Sequence, residues 1–357
     1  MTIKPRPEIL NAAPAVHGAF DSAELERLGL SPDEVIDFSV NSNPYGPPPG
    51  VHETIAKVPL DRYPDRECIA LREKLAEQHN AKIKNIVVGN GTAELLLLIA
   101  QAFIRSGDTV LVIRPTFGEY ERAARLAGGA IHTLDGRDIH YSQIASAIGT
   151  HTPRLVFLCH PNNPTGFARE IQPLGGLIDT FPNTLFVIDE AYINFAPEAR
   201  SVYAHSYGYH NLLVVRSLTK DYALAGLRLG YILGTPDMIG AVAALRPAWN
   251  VNAMAQAAGL AALDQDSWLH ETVRQLHDDK LELVTQLRSF GLQPLPSSVH
   301  YFLVNVGNGA AFRSKLLRHK IMVRDCASFG LPEYVRIATR TPQDNAKLLT
   351  AVEAITP

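Results

Sequence analysis

Apolar and polar positions along the middle of the chain follow a strand and helix alternation. Short apolar runs, typical of buried strands, are separated by longer segments in which apolar side chains recur with helical spacing. The predicted strands lie at 86–88, 109–113, 154–159, 185–188 and 212–215, and the predicted helices at 93–104, 118–127 and about 174–180. This alternation predicts an α/β fold whose mostly parallel sheet is covered by helices on both faces.

The pattern changes after Pro236. Two or three helices follow, the longest predicted at about 267–289. Short strands predicted at 301–306, 322–324 and 334–338 then alternate with helices, which indicates a smaller α+β domain. The predicted division is an N-terminal segment that packs with the small domain (1–45), a large domain (46–236) and a small C-terminal domain (237–357).

Composition narrows the class of protein. A chain of 357 residues with 46% hydrophobic content can bury a large core. The net charge of -3 gives no basic excess that would attract nucleic acid or an anionic membrane. Three scattered cysteines and the lack of an 18-residue apolar run favour a cytoplasmic protein with reduced thiols, no membrane partner and no metal site.

Lys220 is the residue that most directly suggests a chemistry. It follows the apolar strand predicted at 212–215, which places it at the C-terminal edge of the sheet, and Arg228 comes eight residues later. A lysine amine condenses with an aldehyde only when it is deprotonated, and burial beside other cations lowers its pKa. The pattern therefore predicts a Schiff-base lysine that holds pyridoxal phosphate. A solvated lysine at a strand end is the alternative.

Asp189 ends another apolar strand, where a carboxylate is costly unless it meets a positive partner. A pyridinium nitrogen is such a partner, and an aspartate that keeps it protonated makes the ring an electron sink. Tyr192 is predicted to hydrogen-bond the ring oxygen. Asp189 and Glu190 are also typical of an acid and base pair or of a salt bridge, although neighbouring strand residues point to opposite faces.

Gly91, Thr92 and Ala93 lie between a predicted strand and a predicted helix. Free backbone N–H groups and the helix dipole favour an anion there, so we expect these residues to bind a monoester phosphate together with Ser217 and Arg228. The glycine spacing matches neither a dinucleotide fingerprint nor a Walker loop.

Two more side chains are predicted to contact the ring of the cofactor. Asn163 follows a third apolar strand and is placed to donate to the same oxygen as Tyr192. Phe117 is placed to stack on the ring face. The segment 160–166 is also typical of a simple turn, and Phe117 of an ordinary core aromatic residue.

These motifs resemble the aspartate aminotransferase-like superfamily, which is fold type I of the pyridoxal phosphate enzymes. The resemblance covers nearly the whole chain and includes Asn163-Pro164-Thr165-Gly166 in the expected order before Asp189 and Lys220. It implies a large domain with a mostly parallel seven-stranded sheet, and a homodimer with active sites at the subunit interface. It also adds Thr219 and Tyr63 to the cofactor residues, with Tyr63 reaching the phosphate in the neighbouring subunit.

Two subfamilies share these features. Histidinol-phosphate aminotransferases resemble the chain at 43–46 and 62–65, whereas threonine-phosphate decarboxylases of cobalamin synthesis resemble longer passages at 216–222, 249–253 and 324–330. On these passages we prefer decarboxylation of O-phosphothreonine to aminopropanol phosphate and keep the aminotransferase reaction as the alternative. A pyridoxal phosphate-binding protein without turnover is a further alternative of a different class.

The resemblance also implies a set of substrate contacts. Arg324 is expected to hold a substrate phosphate and Arg336 a carboxylate. The complete set of implied substrate residues is His17, Gly18, Ser42, Asn163, Arg324 and Arg336. The usual His-Gly-Gly-Asn sequence is here His17-Gly18-Ala19-Phe20, so the N-terminal contacts depart from the subfamily pattern.

Overall fold

The structure, a computed structural model, describes residues 3–10, 14–205 and 208–356. The helices in these ranges are α1 Pro7–Leu10, α2 Ser22–Arg27, α3 Val51–Ile55, α4 Ile69–Gln78, α5 Thr92–Phe103, α6 Glu119–Leu126, α7 Tyr141–His151, α8 Gln172–Thr180, α9 Pro236–Leu245, α10 Ala253–Leu263, α11 Asp266–Ser289, α12 Gly309–Arg318 and α13 Pro342–Ile355. The strands are β1 Ile36–Asp37, β2 Ile86–Gly89, β3 Thr109–Arg114, β4 Ala130–Asp135, β5 Leu155–Cys159, β6 Leu185–Asp189, β7 Leu212–Ser217, β8 Gly230–Leu233, β9 Gln293–Pro294, β10 Tyr301–Asn305, β11 Ile321–Met322, β12 Arg324–Asp325 and β13 Tyr334–Ala338.

The largest sheet has seven strands in the order β2-β8-β7-β6-β5-β3-β4. All neighbouring pairs are parallel except those of β8, which is antiparallel to both β2 and β7. Alternate residues of β6 enter different apolar clusters: Phe186 and Ile188 pack on one face, and Leu185 and Val187 on the other. A sheet buried on both faces explains the continuous apolar runs. The predicted mostly parallel α/β sheet is confirmed.

A second sheet, in the order β12-β13-β10-β9, is antiparallel. Helices α11, α12 and α13 lie against this unit or its neighbouring strand β11. The short strand β1 near the N-terminus pairs with β11, and Phe38 joins the apolar cluster of the same unit. Helix α9, which begins at Pro236, contacts α5 of the large unit, and α10 contacts α4. The division at residues 45 and 236 stays a prediction.

Two of the differences from the sequence prediction have a clear physical reason. The predicted strand at 322–324 is divided, because β11 pairs with β1 whereas β12 pairs with β13. The chain changes sheets at Val323, and apolar content alone does not reveal such a change. Strand β4 was not predicted, because it lies at the edge of the sheet and none of its residues is buried.

Candidate active site

The predicted site residues converge on the C-terminal edge of the parallel strands. Asp189 is the last residue of β6 and lies opposite Cys159, the last residue of β5. Lys220 follows β7 by three residues, and Thr92 begins helix α5 after β2. Open α/β sheets bind ligands at this edge, so the strand order places the lysine, the carboxylate and the helix N-terminus around one space.

Lys220 is half-buried in this space. Burial, followed by the positive charges of Arg336 and Arg228, lowers the pKa of Lys220 to about 8, and Asp37 opposes the shift. Desolvation and nearby like charges both disfavour the ammonium form. The side chain is therefore an accessible amine that becomes neutral near physiological pH, which an aldehyde requires.

Asp189 is buried at 3% exposure. Tyr120 Oη donates to its Oδ2 at 2.8 Å, and the backbone N–H of Ala191 donates to its Oδ1 at 2.9 Å. Burial raises the pKa of Asp189 to about 6 despite these two donors. Within the described part of the chain no ion pair is formed by Asp189. A buried carboxylate of this kind fits a ligand that brings a positive charge, such as a protonated ring nitrogen.

Glu190, the next residue, differs from Asp189 because it has a cation partner within the protein. Its Oε2 lies 2.9 Å from Nε of buried Arg216, and it also accepts from Ser201 Oγ and the backbone N–H of Val202. The salt-bridge alternative is therefore right for Glu190. The two carboxylates are directed to different partners and do not form an acid and base pair.

The start of helix α5 provides an anion cradle. Gly91 has a φ of 84°, and a Cβ there would lie 2.9 Å from Nη2 of Arg228, so the backbone and the guanidinium approach closely only because residue 91 is glycine. Thr92 and Ala93 contribute first-turn N–H groups, which have no acceptor within a helix. Arg228 is exposed and has a φ of 59°.

The hydroxyl groups of Ser217, the last residue of β7, and of Thr219 complete the predicted phosphate ligands. The Oγ of Ser217 lies 2.6 Å from Oγ1 of Thr219, and the Thr219 backbone N–H donates to Ser217 Oγ at 3.2 Å. Together with the N–H groups and the guanidinium, these groups match the donors that a phosphate monoester needs. The residues present thus fit both charged groups of pyridoxal phosphate. Asp189 suits the protonated ring nitrogen, and the donors around Gly91 suit the phosphate.

Asn163 and Tyr192 lie between these ends. The Oδ1 of Asn163 accepts from Nη1 of Arg336, which leaves the Asn163 amide as a donor. Tyr192 Oη accepts from Asn41 Nδ2 at 3.4 Å, and burial raises the pKa of Tyr192 to about 12. The phenol therefore stays protonated and can donate. Contact of either group with the cofactor oxygen stays a prediction.

Phe117 is half-buried, with its ring edge against Tyr120 at 5.7 Å between centroids. The centroid of the His17 ring lies 5.5 Å from that of Phe117. Phe117 thus joins the aspartate end of the site to the N-terminal segment, and its stacking on the cofactor stays a prediction.

Arg324 and Arg336 lie directly opposite each other on β12 and β13, and each is only 5% exposed. Arg336 donates to the backbone oxygen of Ser39 at 2.5 Å, and its Nε has no hydrogen-bond partner in the described part of the chain. Arg324 donates to Ser328 Oγ at 2.6 Å, and its Nη1 lies 3.6 Å from Oδ2 of Asp325. Burial, and then the charge of Arg336, lowers the pKa of Arg324. Two buried guanidiniums with one peripheral carboxylate favour an anionic ligand.

The predicted substrate residues His17 and Gly18 belong to a segment that contacts these arginines or their partner Ser39. Gly18 is so close to Ser39 that a Cβ would lie 2.6 Å from its backbone oxygen, and Val16, two residues earlier, accepts from Arg324 Nη2 at 3.0 Å. Ser42 is half-buried next to Asn41. Their contact with substrate stays a prediction.

Tyr63 is not buried with the other predicted cofactor residues. It is 81% exposed and stacks on Trp249, which is 45% exposed, at 4.7 Å between ring centroids. An exposed aromatic pair of this kind is more typical of a subunit interface than of a binding site within the same subunit.

Sequence reasoning missed several residues of the site. Tyr120 holds Asp189, Ser328 holds Arg324, Asn41 contacts Tyr192, and Glu119 contacts His17 at 2.8 Å. The helical spacing at 118–127 predicts one apolar face, but it does not show that Tyr120 meets β6. Such contacts arise only from tertiary packing.

The comparisons with known proteins agree with this geometry. The sequence model described as aminotransferase class I and II matches residues 33–355. The chain belongs to this family. Membership confirms the fold type, the enzyme class and the cofactor, pyridoxal phosphate, that the sequence predicts. None of the helices in the described ranges is long and apolar enough to cross a membrane.

Relatives and solved structures extend over almost the whole chain. Histidinol-phosphate aminotransferase of Moorella thermoacetica is 33% identical over 99% of this chain and 93% of its own length. The histidinol-phosphate aminotransferase structure from Sinorhizobium meliloti, in complex with pyridoxal-5'-phosphate, has a TM-score of 0.89 at 24% identity and covers 99% of both chains. L-threonine-O-3-phosphate decarboxylase from Porphyromonas gingivalis has a TM-score of 0.80 at 28% identity and covers 90% of this chain and 99% of its own. The relatives therefore support the aminotransferase alternative better than the decarboxylase that we preferred from sequence.

The lowered pKa of Lys220 predicts its reactivity in the cofactor-free protein. Only the neutral amine attacks an aldehyde, so the rate of reaction with pyridoxal should rise with pH and reach half its maximum near pH 8, the pKa of Lys220. The rate is measured from the absorbance of the product, after subtraction of the rate for Lys220→Ala. Arg336→Gln should raise the midpoint, and Arg274→Gln, on an exposed face of α11, should not. A midpoint above pH 10 would contradict the assignment.

Asp189→Asn should change two measurements in opposite directions. Between pH 3.8 and about 6 the folded protein holds a proton on Asp189 that the unfolded chain has lost, so the stability of the cofactor-free protein falls as pH rises and the full cost remains at pH 7. The asparagine removes that cost, which is on the order of 1–3 kcal/mol. The midpoint of urea unfolding without cofactor should therefore rise, whereas cofactor affinity should fall because the ring nitrogen loses its counter-charge.

Asp278→Asn is the matched control, because Asp278 is exposed on α11. It should change neither the unfolding midpoint nor the cofactor affinity. Equal cofactor affinity in wild type and Asp189→Asn would show that Asp189 does not face the ring.

Proposed function

We propose that this protein is a pyridoxal phosphate-dependent aminotransferase whose substrate is a small amine that carries a phosphate, of the histidinol phosphate type. The observation that carries the proposal is the pair of buried arginines, Arg324 and Arg336, opposite each other on β12 and β13. Their charges have little compensation from the protein, and a phosphate dianion would supply it. The names of the relatives that match nearly the whole chain support the same substrate class.

The proposed roles follow from the positions of the side chains. Pyridoxal phosphate supplies an aldehyde that takes up the substrate amine and a ring that accepts the electrons of the bond that breaks. Lys220 holds the cofactor and then moves a proton from the substrate carbon that bears the amine. Its pKa of about 8 suits both tasks at neutral pH.

The other residues orient the groups that react. Asp189, fixed by Tyr120, would keep a proton on the ring nitrogen. Asn163 accepts from Arg336, so one hydrogen bond connects the residue predicted to hold the ring oxygen to a residue predicted to hold the substrate. Correct placement of the substrate anion is thereby coupled to the orientation of the ring.

Decarboxylation of phosphothreonine is the second candidate. It is supported by the 28% identity to the solved threonine-phosphate decarboxylase and by the presence of two arginines, which suit a substrate with both a phosphate and a carboxylate. The bond that lies perpendicular to the ring is the one that breaks, so the outcome depends on which substituent the arginines hold in the ring plane.

The reaction is tested with purified protein loaded with pyridoxal phosphate. Histidinol phosphate with 2-oxoglutarate should give glutamate, with kcat/KM about 10- to 100-fold above that for unphosphorylated histidinol, since buried arginines without their anion are costly. Phosphothreonine in the same assay should give little carbon dioxide. Release of carbon dioxide in proportion to phosphothreonine, without glutamate, would establish the second candidate instead. Equal kcat/KM with and without the phosphate would refute the proposed substrate class.

We further propose that the enzyme is a homodimer in which Tyr63 donates to the cofactor phosphate of the neighbouring subunit. Tyr63→Phe keeps the ring that stacks on Trp249 and removes only the hydroxyl. The dissociation constant of the cofactor should rise about tenfold, as expected for one hydrogen bond to a charged group, and sedimentation should still show a dimer. Unchanged affinity in Tyr63→Phe, or a monomer that holds the cofactor with full affinity, would refute this role.

A further inference from the structure

The N-terminal strap, defined as residues 14–19, connects the two halves of the site. Val16 O accepts from Arg324 of the small sheet at 3.0 Å, and the backbone N–H of Ala19 donates to Ser39 Oγ at 3.0 Å. The missing side chain of Gly18 lets the strap touch the Ser39 backbone. The strap is thus fixed on both sides of His17.

The side chain of His17, between these two contacts in the strap, reaches helix α6. Its Nε2 lies 2.8 Å from Oε1 of Glu119, and its ring lies 5.5 Å from Phe117. Glu119 is 7% exposed, and its other oxygen accepts from Arg122 at 3.2 Å. The hydrogen bond from His17 is the largest reason that the pKa of Glu119 is lowered, so Glu119 is an anion at neutral pH.

We propose that Glu119 is a positioning residue that holds the His17 ring so that its Nδ1 faces the substrate phosphate beside Arg324. The inference rests on the proposed function for the identity of the substrate. Nε2 is occupied by Glu119, and Nδ1 has no hydrogen-bond partner among the residues described, so Nδ1 is the ring atom left for a ligand. The neighbouring residue, Val16, contacts Arg324 directly, which places His17 next to the guanidinium that is expected to hold the phosphate.

The negative charge of Glu119, as well as its shape, is expected to affect how His17 binds the phosphate. An imidazole that donates from both nitrogens, to a carboxylate at Nε2 and to a phosphate at Nδ1, carries a positive charge, and a carboxylate stabilises that form. A glutamine at position 119 can still contact His17 but supplies no negative charge. The selectivity for a phosphorylated substrate is therefore expected to depend on the carboxylate.

The test uses the cofactor-loaded enzyme and the variant Glu119→Gln. Its kcat/KM for histidinol phosphate should fall about tenfold, mainly through KM, which corresponds to about 1.4 kcal/mol. Its kcat/KM for unphosphorylated histidinol should stay at the wild-type value. Glu119→Asp should recover part of the loss. Glu121→Gln is the matched control, since Glu121 lies on the same helix and pairs with Arg114 and Arg125, and both substrates should react as in wild type.

Binding of inorganic phosphate, measured by calorimetry on the same cofactor-loaded proteins, separates this inference from the proposed function. Phosphate should bind Glu119→Gln about tenfold more weakly than wild type or Glu121→Gln. That result supports the inference even if histidinol phosphate is not turned over. Equal phosphate affinity in wild type and Glu119→Gln, or an equal loss of kcat/KM on both substrates, would overturn it and leave Glu119 a purely structural residue.

Discussion

The site depends on buried charges that the protein keeps apart without neutralising them. Lys220, Arg324 and Arg336 gather on one side, and the carboxylate of Asp189 lies buried without a cation of its own. The pKa of Lys220 is lowered and that of Asp189 is raised, so each group pays a desolvation cost in its charged form. A ligand with a cationic ring and anionic groups relieves both costs. The fold thus stores, as unfavourable electrostatics, part of the free energy that favours cofactor and substrate binding.

The residues around Asp189 show that the protein pairs charges where no ligand is needed. Glu190, directly after β6, and Arg216, on β7, are just as buried, and Nε of Arg216 lies 2.9 Å from Oε2 of Glu190, which also accepts from Ser201 and Val202. Two adjacent positions at the end of β6 therefore carry one carboxylate that is compensated by a cation and one that is not. Successive residues along a strand point in opposite directions, so neighbouring carboxylates meet different surroundings. The presence or absence of a cation partner therefore distinguishes a structural contact from a ligand site more clearly than the residue type does.

The sequence predicts those parts of the fold and site that depend on local pattern. Apolar runs give the buried parallel strands, and polar residues directly after them, such as Asp189 and Lys220, give the C-terminal edge. Contacts that depend on the pairing register of strands, or on which strand lies at the edge of a sheet, involve residues far apart in the sequence, so local pattern does not reveal them. The pairing of Arg324 with Arg336 requires the break at Val323, and β4 carries no buried residue that would reveal it. Glu119 and Tyr120 read as part of an ordinary amphipathic helix until α6 is packed against β6 and the N-terminal strap.

The cofactor end and the proposed substrate end of the site are built from different parts of the chain. This separation suggests how one type of cofactor site can serve both transamination and decarboxylation. The cofactor end comes from the central sheet between residues 91 and 228. The proposed substrate end comes from the strap and from β12 and β13, near opposite termini. Changes at the substrate end can therefore alter which bond is aligned with the ring while Lys220, Asp189 and the phosphate cradle stay the same. Asn163 is the exception, because its hydrogen bond with Arg336 joins the two ends. With the roles proposed for these residues, a change in how Arg336 holds the substrate anion would also act on the contact of Asn163 with the ring oxygen. With the proposed roles, this coupling would make the pose of the substrate anion, more than the identity of any single cofactor ligand, the physical variable that selects between transamination and decarboxylation.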